Sequence, residues 1–458
     1  MDDGRFDPSE ATSFHVVSAS FDAATTTATF SYAFEGGPEF VESVTFETPA
    51  PTPVDAEDPR LTGALRHLHI AAGTSYYKAA APDRVVVDEG YLTPDEAEFH
   101  RHLYDDGLRE FAVVNHLPVP RPVSVSARVV GGDPPIRPAR SGTPSDRRPR
   151  VVVPLGGGKD SLVLAEAVRP LEPRLFAVNP HPLVVDLAGQ AGLELLVARR
   201  TLSPELQRLN RFGALNGHVP ITAIVSLITV LGASIYGYDT IAMAVERSAS
   251  EETVVVEGVP VNHQYSKSLA FEQLLRHLIG SSIDADLCYG SALRPYSELA
   301  ISRAFAGLGR YQDTFCSCNV VFRQSGGASD GWCGQCAKCR FVALMLAPFL
   351  PRSALVSIMG ADLLDDAGQI PGFEALMSRE DKPFECVGER RESAAAFRLL
   401  SEQDEWRETS VVAALGPRAQ ALVSDDEVAA LLGSVTELAF PEPGVAAAVE
   451  RFFDRGQR

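Results

Sequence analysis

The chain lacks the features that would point to a membrane or to nucleic acid. Its longest apolar run, residues 221–235, is too short and too interrupted to cross a bilayer. The formal net charge of −19 argues against a surface that binds nucleic-acid phosphates. The first residues are acidic and contain no apolar core, so no signal peptide is expected. These absences favour a cytoplasmic protein that acts on a small molecule.

Cysteine is scarce outside one segment of the chain. Five of the seven cysteines lie between residues 316 and 339, which favours a metal or catalytic site in a reducing compartment over disulfides. The hydrophobic fraction of 45% and the charged fraction of 22% are ordinary for a protein with a large core. A chain of 458 residues predicts about two to four domains, and it contains no internal repeat.

Hydrophobic patterns divide the chain into four regions. Residues 1–127 begin with alternating segments that predict an antiparallel β meander, followed by helices. Residues 128–149 are rich in proline and arginine and are interpreted as a linker. From 150 to 350, strands and helices alternate, which predicts an α/β domain with a doubly wound parallel sheet. Residues 351–458 are expected to form a helical C-terminal region.

The most informative motif is the strand, glycine turn and helix between residues 151 and 169. Gly156, Gly157 and Gly158 allow the backbone to approach an anion, and the following helix directs N–H groups towards it. The Walker A and dinucleotide fingerprints both fail here. The segment resembles the Ser-Gly-Gly-x-Asp-Ser loop of the PP-loop ATP pyrophosphatases, with Gly156 replacing the first serine. That resemblance implies an adenine nucleotide α-hydrolase-like sheet that cleaves ATP between its α and β phosphates.

The clustered cysteines have spacing that suits a metal. Cys333, Cys336 and Cys339, with either Cys316 or Cys318 as the fourth ligand, would provide the four thiolates of a structural Zn²⁺ site. The run also resembles the zinc knuckle of the deazaguanine-synthase branch of PP-loop enzymes. We predict Cys318 as the fourth ligand. A set of reduced packing cysteines, or a reactive thiol, is the alternative.

Polar residues outside the glycine turn and the cysteine cluster provide further candidate site residues. His218 stands just before the apolar helix and is interpreted as an acid or base, or as a helix cap. Residues 262–267 crowd polar side chains before another helix, which is also what a solvated loop looks like. Arg294 is a candidate ligand for a carboxylate or phosphate, with surface charge as the alternative. Residues 75–78 either cover a ligand or end a helix.

Seven segments spread over residues 31–341 point to one family. They are Ser31–Pro38, Ser75–Pro82, Gly156–Ser161, Asn216–Pro220, His263–Lys267, Leu293–Leu299 and Trp332–Phe341. In combination they resemble the MurL family, ATP-dependent UDP-N-acetyl-α-D-muramoyl-L-alanyl-L-glutamate epimerases of bacterial wall synthesis. The PP-loop segment alone resembles only the superfamily.

The resemblance implies a reaction and a set of ligands. It implies that the terminal L-Glu of UDP-MurNAc-L-Ala-L-Glu becomes D-Glu through an acyl-adenylate, with release of AMP and diphosphate. ATP and Mg²⁺ are then expected cofactors. Within that family, we assign diphosphate binding to Gly156, Gly157, Gly158 and Ser161, adenosine to Asn179, catalysis to Lys159, Asp160, His218 and Lys267, and substrate binding to Arg294 and Arg340.

Two functions of other classes stay open from the sequence. One is a PP-loop ligase or amidotransferase that acts on a nucleobase or another carboxylate. The sequence pI near 5.0 counts against tRNA as its substrate. The other is a non-catalytic nucleotide-binding protein, against which the intact Asp160-Ser161 pair argues. The sequence gives no indication of the oligomeric state.

Overall fold

The chain folds into two compact units made of interleaved segments. The computed structural model describes residues 6–50, 52–127, 148–321, 331–378 and 382–455. Unit 1 contains Met1–Arg147, Leu196–Ile241 and Val255–Tyr289, and unit 2 contains Arg148–Leu195, Ala242–Val254 and Gly290–Arg458. Most of the predicted linker, residues 128–147, lies outside the described residues. A compact unit is not the same as an independently folding domain, so the predicted domain boundaries stay predictions.

The strands of the described residues are short. They are β1 (Phe14–Asp22), β2 (Thr27–Phe34), β3 (Glu39–Phe46), β4 (Arg84–Val87), β5 (Ser124–Ala127), β6 (Val151–Pro154), β7 (Arg174–Val178), β8 (Leu195–Thr201), β9 (Thr240–Met243), β10 (Val254–Val256), β11 (Val259–Val261) and β12 (Cys288–Ser291).

The helices occur in both units. They are α1 (Pro59–Ala72), α2 (Thr74–Tyr77), α3 (Pro94–Asp105), α4 (Arg109–Val114), α5 (Lys159–Ala167), α6 (Pro182–Ala191), α7 (Pro204–Arg211), α8 (Ile221–Tyr236), α9 (Leu269–Ser282), α10 (Glu298–Ala306), α11 (Ala337–Leu346), α12 (Arg352–Met359), α13 (Ile370–Ala375), α14 (Arg390–Ser401), α15 (Ser410–Leu422), α16 (Asp425–Leu432) and α17 (Pro443–Arg455). Within the described ranges, none of them has the length and apolar character needed to span a bilayer.

Unit 1 is built on a mixed sheet with the order β8-β3-β2-β1-β4-β5. β1, β2 and β3 pair antiparallel, with Phe14 opposite Phe34 and Thr27 opposite Thr45, which confirms the predicted meander. β2 alternates buried and half-buried residues, so Phe30 and Tyr32 point into the core while their neighbours face outwards. β4 pairs parallel with both β1 and β5.

The apolar segment expected as a buried helix is α8, which packs against α1 in unit 1. Most of its residues are buried, which explains why the segment is apolar on nearly every face. Asp58 caps α1 by accepting a hydrogen bond from the Arg60 backbone N–H at 2.8 Å. α1 therefore begins at a position that the sequence marks clearly.

Unit 2 carries the parallel pair β6 and β7, each followed by a helix. Val151–Val153 of β6 and Leu175–Ala177 of β7 are buried, as is usual for strands covered on both faces. In the described residues after 351, the regular elements are the α-helices α12–α17 with short 3₁₀ turns. The predicted helical C-terminal region is confirmed there.

The predicted α/β class is confirmed, but the sheet is not parallel throughout. β8, expected within the parallel sheet, pairs antiparallel with β3 in unit 1, with Ser43 opposite Thr201 and Phe46 opposite Ala198. The sequence did not predict this antiparallel pairing. Which strand lies beside another is decided by contacts between distant segments, and an apolar pattern in one strand does not encode it. The PP-loop type of the sheet stays a prediction.

Candidate active site

The glycine turn of unit 2 joins β6 to α5. Gly157 has a φ of +89°, and a Cβ added to it would lie 3.2 Å from Leu183 Cδ2 and 3.3 Å from Val184 Cγ2. The positive φ therefore favours glycine strongly here, and a Cβ would also crowd the two neighbouring side chains. Gly158 is the N-cap of α5, and no side chain caps this helix. The first-turn N–H groups and the positive helix end are consequently suited to an anion.

Three carboxylates and one ammonium group lie at the start of α5. Oxygens of Asp160, Glu246 and Glu298 are all within 4.8 Å of one another. Lys159 Nζ donates to Asp160 Oδ1 at 2.5 Å and also to Glu298 Oε2. Asp160 is half-buried and the other three side chains are buried. The structure thus places the predicted Lys159 and Asp160 with Glu246 and Glu298, two carboxylates that were not assigned as site residues.

The charges in this group depend on one another. Burial lowers the pKa of Lys159, but the charges of Asp160 and Glu298 outweigh burial and raise it overall. Burial and the charge of Asp160 raise the pKa of Glu298. Lys159 therefore stays an ammonium group, while Glu298 binds a proton more readily than an exposed glutamate does. A divalent cation bound here would favour the ionised carboxylates.

Two predicted nucleotide contacts, Ser161 and Asn179, follow the strands β6 and β7. Ser161 Oγ donates to the Gly158 carbonyl at 3.2 Å, so its hydroxyl is held within the first turn of α5. Asn179 directly follows β7 and has a φ of +47°, in the left-handed region that asparagine tolerates better than most residues. Both residues stand at carboxyl ends of neighbouring parallel strands or just beyond, where ligands of α/β sheets bind.

The two predicted substrate arginines have different surroundings in unit 2. Arg294 is buried and donates from Nη1 to the Glu246 carbonyl at 2.8 Å, beside the carboxylate group. Arg340 lies on α11, and its Nε donates to Gln369 Oε1 at 2.7 Å. Arg294 is thus placed with Glu246, whereas Arg340 donates a hydrogen bond to the helical C-terminal region.

Four thiols of unit 2 form one compact group. The sulfurs of Cys318, Cys333, Cys336 and Cys339 all lie within 4.8 Å of one another, with separations of 3.7 Å for Cys333–Cys339 and 3.5 Å for Cys336–Cys339. These separations match a tetrahedron with Zn–S bonds of about 2.3 Å. Backbone N–H groups donate to Cys333 and Cys336 at 3.4 Å. Cys316 lies outside the group, so the geometry favours Cys318 as the fourth ligand.

A second polar group lies within unit 1 and contains the predicted His218. His263 Nδ1 donates to Glu110 Oε2, and His218 Nδ1 lies 3.8 Å from the same oxygen. The two imidazole ring centres are 4.6 Å apart. The side chains of Glu110, His218 and His263 keep 11%, 21% and 14% of their exposure. The group is therefore sheltered but open to a ligand.

Burial and, to a smaller extent, charged neighbours determine the protonation of His218. Burial lowers its pKa to about 4, and the charges of His263, Lys267 and Lys78 act in the same direction, while Glu110 opposes them. The imidazole is therefore neutral at physiological pH and is available as a base. The predicted residues His218 and Lys267 are close enough to interact electrostatically. Lys78 and His263 lie in the candidate segments 75–78 and 262–267, whereas Glu110 was not predicted.

The chain resembles known proteins over most of its length. The MurL N-terminal domain model matches residues 5–292, and the MurL C-terminal domain model matches residues 314–430. Three similar relatives carry the name UDP-N-acetyl-alpha-D-muramoyl-L-alanyl-L-glutamate epimerase. The Micromonospora relative is 44% identical over 408 residues, which is 88% of this chain and 90% of the relative.

The other two relatives match a similar share of the chain. The Salinispora tropica protein is 43% identical over 408 residues and 88% of each chain. The Xanthomonas oryzae pv. oryzae protein is 41% identical over 413 residues, which is 89% of this chain and 90% of that protein. No solved structure matches the chain.

Proposed function

The chain belongs to the MurL family, and on that premise we propose that it epimerises the terminal L-Glu of UDP-MurNAc-L-Ala-L-Glu to D-Glu at the expense of ATP. One observation carries the epimerase assignment: relatives with this name are 41–44% identical over nearly the whole chain. The activity belongs to peptidoglycan precursor synthesis. ATP dependence rests on the chemistry and on the glycine turn.

ATP has a clear chemical purpose in such a reaction. The α-proton beside a carboxylate is hard to remove, because a carboxylate accepts the extra negative charge of an enolate poorly. Transfer of AMP to the carboxylate neutralises it, makes the α-carbon more acidic and releases diphosphate. A base then removes the proton on one face, and an acid returns a proton on the other. Hydrolysis of the adenylate releases AMP and leaves the inverted residue.

The glycine turn supports the nucleotide half of this proposal. Gly156, Gly157, Gly158 and Ser161 would bind the diphosphate part of ATP, and Asn179 would contact adenosine. The required glycine at 157 and the helix start without a side-chain cap are features expected of an anion site. Arg294 and Arg340 would bind the carboxylate or diphosphate of the substrate.

The residues present also fit the expected metals. Mg²⁺ prefers oxygen ligands, so Asp160, with Glu246 and Glu298 beside it, would hold this ion. Mg²⁺ supplies charge neutralisation for the phosphates during transfer. Lys159, which is paired with Asp160 and Glu298, would then be able to contact the phosphates. The four thiols fit a closed structural Zn²⁺ site, which removes them as candidate bases.

Proton transfer is assigned to unit 1. His218 is neutral and sheltered, which suits a base, and Lys267 is the proposed acid partner. This division leaves the carboxylate group of unit 2 for nucleotide activation. Substitution at either place should therefore interrupt a different step of the same reaction.

An incubation in deuterated water tests the proposal. Purified chain, ATP, Mg²⁺ and UDP-MurNAc-L-Ala-L-Glu should yield diphosphate, AMP and D-Glu that carries deuterium at its α-carbon. Asp160→Ala should abolish every product, since the α5 start loses its half-buried carboxylate. The exposed Asp186→Asn on α6 is the matched control and should keep full activity.

Other results would redirect the assignment. Diphosphate release with glutamate still in the L form would keep ATP activation but favour a ligase or amidotransferase. Inversion without any cleavage of ATP would refute the adenylate. No change in either compound would refute the proposed function as a whole.

A further inference from the structure

One short helix of unit 1 holds both imidazoles of the polar group. α4 carries Glu110, whose carboxylate accepts from His263 Nδ1. Arg109, which precedes Glu110, donates from Nη1 to the carbonyl of Pro260 at 3.2 Å. Pro260 lies three residues before His263. The residue that ends α4, Asn115, donates from Nδ2 to the Asn216 carbonyl at 3.0 Å, two residues before His218. Contacts along α4 therefore fix Glu110 relative to both loops.

The loop that carries His218 is held from a second direction within unit 1. Lys78 Nζ donates to Asn216 Oδ1 at 2.6 Å and to the Gly217 carbonyl at 3.2 Å. A Cβ at Gly217 would lie 3.2 Å from the ring of Phe111 on α4, so the loop passes close to this helix. A loop anchored on both sides presents its histidine in a fixed orientation.

Among the charged groups around His218 in the described residues, Glu110 is the one that favours its protonated form. Among the groups that act on this imidazole, His263, Lys78 and Lys267 oppose a positive charge on it, and Glu110 favours one. A base becomes an imidazolium when it accepts a proton. At 3.8 Å, the Glu110 carboxylate is placed to stabilise that charge, while the lysines favour an anionic ligand over a metal cation.

We propose that Glu110 is a positioning residue for proton abstraction by His218, with His263 holding its carboxylate in place, and that this group binds the glutamyl end of the substrate. The inference rests on the proposed function and extends it. The Cα–H bond of the activated residue breaks, the proton passes to the His218 imidazole, and the electron pair enters the enolate. A second acid, for which Lys267 is the candidate, forms the new Cα–H bond on the opposite face.

His263 has a defined role in this arrangement. A carboxylate can only accept a hydrogen bond, so the Nδ1 of His263 that faces Glu110 must carry the proton. In this pair the imidazole of His263 orients the carboxylate of Glu110, and the carboxylate in turn stabilises the neighbouring base, His218. Glu110→Gln would keep the shape of the side chain and remove the charge that stabilises the imidazolium at His218.

The test separates activation from proton transfer. Exchange of labelled diphosphate into ATP reports acyl-adenylate formation, and deuterium incorporation at the α-carbon reports proton abstraction. For Glu110→Gln we expect diphosphate exchange within about threefold of the unmodified chain and deuterium incorporation lower by roughly 10²-fold, the scale of general-base effects. Asp88→Asn, which breaks the His15–Asp88 pair of 3.0 Å elsewhere in unit 1, is the matched control and should lower neither rate.

Each outcome decides one claim. Equal deuterium incorporation in Glu110→Gln and the unmodified chain would overturn the inference and leave the proposed function standing. A proportional loss of both rates in a variant with unchanged thermal stability would also overturn it. If Glu110→Gln does not fold, Glu110→Asp replaces it, because the shorter side chain keeps the negative charge but moves it away from both imidazoles. Deuterium incorporation must then fall while diphosphate exchange is kept. An unmodified chain inactive in both measurements would refute the proposed function instead.

Discussion

Gly157 shows how a single position constrains the candidate nucleotide site. Its φ of +89° is disfavoured for residues with a side chain, and a Cβ would also lie 3.4 Å from the Cys316 carbonyl. We expect Gly157→Ala to lower the free energy of unfolding by about 1–3 kcal/mol, the usual cost of such backbone strain. Denaturant unfolding followed by circular dichroism measures this effect.

The neighbouring glycine provides the control. Gly156 has no heavy atom within 4 Å of the position of a Cβ, and its φ is outside the left-handed region. Gly156→Ala should therefore leave the free energy of unfolding nearly unchanged. Equal destabilisation by the two substitutions would contradict the role assigned to the conformation of Gly157.

Residues whose partners are near in sequence were the predictable ones. The glycines precede their helix directly, and three of the four grouped cysteines are separated by two residues each, so local spacing indicates both sites. Glu110 could not be found in this way. It meets His263 across 153 positions, and no pattern around Glu110 marks that contact. Glu246 and Glu298 were not assigned as site residues for the same reason.

At the scale of elements, the thiol group organises the start of α11. Cys336 is the N-cap of this helix, and its sulfur accepts from the Cys339 backbone N–H. We predict that the purified chain carries about one Zn²⁺ and that Cys336→Ser loses it. Serine is itself a preferred N-cap residue, so the substitution should spare the helix while removing a metal ligand. Metal analysis by mass spectrometry measures the difference.

Substitution of a cysteine outside the group distinguishes loss of the metal from the loss of any thiol. Cys386 also lies in unit 2 but outside the group of four, so Cys386→Ser should retain the metal. Thermal unfolding of both variants, with and without a chelator, should show a chelator-dependent shift only where metal is bound. Full metal content in Cys336→Ser would refute the proposed zinc site.

Elements were predictable in kind but not in all their pairings. The alternation of apolar residues in β1–β3 predicted the type of these elements, because the signal lies within each segment. The antiparallel pairing of β8 with β3 depends on residues more than 150 positions apart, such as Ser43 and Thr201. Register of this kind is fixed by packing of distant segments and leaves no local pattern.

At the scale of the whole molecule, the two units do not follow the order of the chain. The family models meet between residues 292 and 314, yet unit 2 includes residues 148–195 and 242–254 as well as the C-terminal part. Within unit 2, α5 packs against α10 and α17. A fragment that ends at residue 292 would leave the apolar residues of α5 without these partners.

This organisation predicts the behaviour of that fragment. Residues 1–292 should unfold at a lower temperature and less cooperatively than the full chain, and should bind a hydrophobic dye, because buried residues such as Leu162 and Leu164 become exposed. Coexpression of residues 293–458 should restore part of the loss. A fragment that unfolds as cooperatively as the full chain, at the same temperature, would contradict the interleaved organisation.

The alternation of segments also has a consequence during synthesis. Unit 1 receives its last segment only when Tyr289 has been made, and unit 2 begins with Arg148 but cannot be completed before residues 290 onwards emerge. At about 5–20 residues per second, residues 148–195 wait roughly 5–20 s for the start of the last segment of their unit. The nascent chain therefore exposes an incomplete α/β core beside the ribosome, where chaperones would be expected to bind it.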